Sequence, residues 1–96
     1  MSNEELERIM VLNYTNVFRE MLLSSLKANP KVTPDYLSQS IKRQREVEEQ
    51  ISRRSEEMAR ALVSRLKARG YLAKEPTRQA LRSMIRQVLK EFEVKE

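Results

Sequence analysis

Apolar residues recur at Leu81, Met84, Ile85, Val88, Leu89 and Phe92. Counted from Leu81 these are positions i, i+3, i+4, i+7, i+8 and i+11, the spacing that lines one face of an α-helix. Glu75-Pro76-Thr77 supplies the start signal, so the pattern predicts a helix over about 77–92. No segment alternates apolar and polar residues as a half-buried strand would, and no internal repeat stands out.

Two further helices follow from their punctuation. Ser2 with Glu5 three positions later has capping-box spacing, and the Asn29-Pro30 pair is a stop. A first helix is therefore expected over 3–28, although Asn13, Tyr14, Thr15 and Asn16 are weak helix formers. Thr33 as N-cap, Pro34 in the first helical position and Asp35 in the first turn mark a second start. No glycine or proline follows until Gly70, so the pattern allows one helix over 34–69. Gly70 is placed to end it in a left-handed conformation, with Tyr71 folding back onto Leu66.

These lengths bear on shape. A helix over 34–69 is about 54 Å long at roughly 1.5 Å per residue. A compact chain of 96 residues is only about 32 Å across. The expectation is an elongated all-α protein of three helices. The first helix is set along the first half of the second, and the third along its second half.

That arrangement leaves a surplus on the first helix. Leu6, Met10, Tyr14, Val17, Phe18, Met21 and Leu22 form one broad apolar face, and Ile9, Leu12 and Leu23 lie on another side. The facing half of the second helix offers only Tyr36, Leu37, Ile41, Val47 and Ile51. Leaving three or four large side chains in water would forfeit about 1.5–3 kcal/mol each. A C2 homodimer covers them most simply, with Ile9, Leu12, Phe18, Leu22 and Leu23 as the expected interface.

Composition then narrows the chemistry. Ninety-six residues make one domain, read as a self-association and spacer part over 1–60 and a basic helical hairpin over 61–92. Forty per cent apolar residues with a single glycine suit a helical domain better than a disordered tail or a sheet. Zero cysteines exclude a disulfide scaffold and a thiolate nucleophile, and zero histidines remove the commonest general base and metal ligand. With one glycine there is no phosphate-cradling loop. The reading is a non-enzymatic protein with no cofactor and no metal. Glu4, Glu5 and Glu7 stand where a secretory signal would be basic, and the charge-free run from Ile9 to Phe18 is too short to span a bilayer. Cytoplasmic residence is the expectation.

The net charge of +5 is unevenly laid out. Residues 1–32 and 33–60 are each neutral. Residues 61–90 hold Arg65, Lys67, Arg69, Lys74, Arg78, Arg82, Arg86 and Lys90 against Glu75 alone. In the middle helix, Glu49 and Arg53, and Glu56 and Arg60, stand at the favourable i, i+4 spacing and neutralise one another. Arg78, Arg82, Arg86 and Lys90 instead repeat one sign every four residues, which destabilises an isolated helix. Such a ladder calls for an anionic partner. The eight cations of 61–90 are the candidate nucleic-acid-binding residues, with DNA or RNA held through its phosphates and little sequence selectivity. The competing reading is a protein–protein adaptor or assembly factor that uses the apolar faces of helix one. Its arginines would then meet water or an acidic protein.

The string from Ala61 to Leu72, ALVSRLKARGYL, resembles the recognition helix and following turn of winged-helix DNA-binding domains. That resemblance implies a two-stranded wing next. The sequence continues instead as a linker and an amphipathic helix, so the family's fold is not carried over.

Overall fold

The computed structural model describes residues 2–28, 41–72 and 74–92, with side chains over 2–25, 45–72 and 74–92. Among the described residues there are three helices and no strand: α1 (Asn3–Ala28), α2 (Ile41–Ala68) and α3 (Arg78–Glu91). Thr33, Pro34 and Asp35, where the second helix was expected to begin, lie outside the described residues. From Ile41 to Ala68 that helix is unbroken.

Three helix ends are built by the residues that announced them. The Ser2 hydroxyl accepts from the Glu5 backbone N–H at 3.2 Å. The Thr77 side chain does the same for Ala80 at 3.1 Å, in an extended N-cap conformation. At the end of α2, Gly70 has φ 78°. Its N–H reaches the Lys67 carbonyl at 3.1 Å, and that of Tyr71 reaches Leu66 at 2.8 Å, the paired bonds of a Schellman motif. The weak helix formers inside α1 are accommodated. Thr15 is nearly buried and donates its hydroxyl to the Val11 carbonyl at 2.6 Å, so no polar group is left orphaned there.

One core joins the three helices. Phe18 from α1, Met58, Ala59, Leu62 and Leu66 from α2, and Met84, Val88 and Leu89 from α3 are buried together. Met10, Tyr14, Met21, Leu22, Tyr71, Ile85 and Phe92 pack against its edges. Ser55, fully buried, donates to the Ile51 carbonyl at 2.6 Å. The molecule measures 45 × 25 × 17 Å with a radius of gyration of 15.1 Å. A compact chain of this length has about 12.5 Å, so the shape is elongated.

The placement of α1 corrects the expectation. It lies antiparallel to α2 and reaches its C-terminal end, where Glu7 meets Lys67 and Phe18 shares the core with Met58 and Leu62. Its 26 residues nearly match the 28 of α2, so it is not confined to the first half. The C-terminal half of α2 is the richer in apolar residues, and its buried band is wide enough for two neighbours. At about 100° per residue, Ala59 and Val63 lie toward the α1 edge, and Met58 and Ala61 toward α3. The apolar surplus assigned to α1 therefore shrinks. Phe18 is fully buried within its own chain, so it offers no surface to a second copy. Leu22 packs on the same core and Leu23 is half-buried. Ile9 and Leu12 remain exposed, at 44% and 63%, joined by Val17.

Candidate nucleic-acid interface

The basic face is built on α3. Its apolar stripe is fixed against α2 by Met84, Val88 and Leu89, which turns the flanking side outward. Arg78, Arg82, Arg86 and Lys90 are all exposed. At about 1.5 Å per residue they stand roughly 6 Å apart along the helix. None of them has an ion pair among the described residues. Arg69 and Lys74, before and after the turn that leads toward α3, are likewise exposed and unpaired among the described residues.

Arg65 and Lys67 differ. Arg65 is half-buried, donates to the Glu91 carboxylate and lies 3.5 Å from the Gln87 side-chain oxygen. Glu91 is nine residues beyond Arg82, about 900° of rotation, so Arg65 meets α3 on the side opposite that arginine. Lys67 pairs with Glu7 of α1 at 3.3 Å. The eight candidate cations thus divide into six open ones and two tied to acids of this chain.

Sequence reasoning missed a further tie. Arg54 donates to the Phe92 carbonyl and sits 6.0 Å above the Phe92 ring, holding the end of α3 to α2. The partners are 38 residues apart, and no local pattern connects them. The expected pairs within α2 do form, Arg53–Glu49 and Arg60–Glu56, each at 2.6 Å and well exposed. They contribute a few tenths of a kcal/mol each.

Two hollows flank α1. An open groove of about 840 Å³ runs between α1 and α2, with Leu12, Val11 and Val63 among charged side chains that include Arg8, Arg19, Glu56 and Arg60. A smaller one of about 360 Å³ lies between α1 and the segment joining α2 to α3. Tyr14, Tyr71, Met10 and Pro76 line it, with Asn13, Lys74 and Glu75. Burial, and then the nearby Glu75 carboxylate, raise the pKa of the Tyr14 phenol above its ordinary value, so it stays protonated at neutral pH.

Among the described residues no group of three or more acidic side chains is placed to hold a metal ion. No described helix is long and apolar enough to cross a membrane. The segment resembling a winged-helix recognition helix leads into helix α3 where that family has strands. The chain matches no protein-family model, no curated protein and no solved structure.

Proposed function

We propose that the protein is a non-enzymatic, cytoplasmic, homodimeric binding module that docks on nucleic-acid phosphates through the open face of α3. The observation carrying this reading is the run Arg78, Arg82, Arg86 and Lys90, four exposed like charges without an acid opposite among the described residues. Like charges one turn apart repel, so a polyanion that neutralises them gains both contacts and relief of that repulsion. Arg69 and Lys74 extend the cationic surface. Phosphate contacts carry no base information, so selectivity among duplex sequences is low.

Self-association rests on Ile9 and Leu12. Glu5 and Arg19 stand seven residues before and after Leu12. A second copy laid antiparallel on α1, with the two-fold axis at Leu12, brings each Glu5 opposite the other copy's Arg19. The same exposed apolar pair favours the second reading, a protein–protein adaptor with no nucleic-acid contact.

A low-salt gel-shift titration with duplex DNA separates the two. Engagement of four phosphates predicts a log–log salt slope of about −3.6. No shift at micromolar protein leaves the adaptor reading. A shift that survives Arg78→Ala, Arg82→Ala and Arg86→Ala together removes α3 as the site.

A further inference from the structure

The smaller hollow lies at the beginning of the cationic ladder. Lys74 and Pro76 are on its wall, and Arg78 follows Pro76 by two residues, within about 7 Å along the chain. Tyr14 and Tyr71 reach it from α1 and from the turn after α2. The Asn13 amide and the Tyr14 hydroxyl have no hydrogen-bond partner among the described residues. A hollow of about 360 Å³ is at the small end of the range for ligand sites, which suits one planar ring system better than an extended side-chain cluster.

A ligand that uses both features must repeat an anion along its length and carry flat aromatic groups with polar edges. A single-stranded nucleic acid has that composition. A duplex does not, because its bases are stacked and paired. We propose that this hollow takes one unstacked base against Tyr14 and Tyr71, while the neighbouring phosphates lie on Lys74 and the α3 ladder, so that the chain prefers single strands. Aromatic stacking platforms beside a cationic track are the general means of holding single strands, and they tolerate any base because every base has a π-face. Tyr14 stays protonated and supplies a donor at the base edge, and Glu75 supplies an acceptor for an exocyclic amino group. This inference rests on the phosphate-binding reading above.

The test is fluorescence anisotropy with a labelled oligo(dC) of about 12 nucleotides and with an abasic deoxyribose-phosphate strand of equal length. The base-bearing strand is expected to bind about tenfold tighter than the abasic one. Tyr71→Leu and Tyr14→Leu, which keep apolar bulk for packing, should each bring oligo(dC) down toward the abasic affinity and leave the abasic affinity unchanged. Four engaged phosphates on a single strand give a salt slope of about −2.8. Equal affinity of the two strands for the unaltered protein overturns the base site while leaving phosphate binding intact. Binding of neither strand overturns both. A preference for oligo(dC) that persists in both tyrosine variants puts the base elsewhere and overturns this assignment.

Discussion

Tyr71 donates its backbone N–H to the carbonyl of Leu66 at 2.8 Å across the left-handed Gly70, and its ring packs on the core that contains Leu66. One turn thus ends α2, directs the chain toward α3 and sets one wall of the smaller hollow. A Cβ added at Gly70 meets nothing within 4 Å, so the requirement there is purely for φ. Gly70→Ala should cost about 1–2 kcal/mol, read as a lowered midpoint in thermal or urea unfolding. Gly70→Asn, which tolerates this conformation better, should recover part of it.

The core and the exposed apolar pair should respond differently to truncation. Leu62→Ala removes a fully buried side chain and should cost about 2–5 kcal/mol. Leu12, 63% exposed, lies outside that core. Leu12→Asp should leave the helical circular dichroism spectrum intact and halve the mass seen by sedimentation equilibrium. An unaltered protein that sediments as a monomer at all concentrations removes the dimer.

Arg82→Ala and Arg65→Ala should also part company. Arg82 has no ion pair among the described residues, and its loss should flatten the salt slope by about 0.9 on duplex DNA. Arg65 is engaged with Glu91 and Gln87. Its removal should leave the slope unchanged and alter stability by no more than about 1 kcal/mol, as for other pairs in contact with water.

Tyr14 gives a pH prediction. Its pKa is raised in the folded chain, first by burial and then by Glu75. The unfolded chain therefore releases the phenolic proton first, at about pH 10. The stability this group contributes is whole below that pH and is lost as pH rises from there through the higher folded pKa. Unfolding followed across this range in the wild type and in Tyr14→Phe isolates the effect. The variant should lose less stability than the wild type, and equal losses would exclude the linkage.

Local signals in the sequence were enough for α3 and for the helix ends at Ser2, Gly70 and Thr77. The stripe from Leu81 to Phe92, the Thr77 cap, the Ser2 cap and Gly70 all act within a few residues of themselves. Periodicity identifies a face, but it does not give the height at which two helices meet. For that reason α1 was set along the first half of α2 only, whereas it reaches the far end at Lys67. Apolar residues on two sides of α1 also left open which side faces inward, and Phe18 was assigned outward with Ile9 and Leu12. Arg65 and Lys67 looked like open members of the eight-cation set because their acids, Glu91 and Glu7, are 26 and 60 residues away. The placing of Tyr14 and Tyr71 on one hollow is of the same long-range kind.

The uncompensated row on α3 gives ionic strength two opposed roles. Added salt screens the repulsion from one turn to the next and should make the third helix harder to unfold, while on the proposed phosphate-binding reading the same ions should compete for the phosphates and weaken docking. Folding and docking in this segment should therefore move in opposite directions along a single salt titration. On that reading, α3 would be least stable on its own under the conditions in which a polyanion docks most tightly.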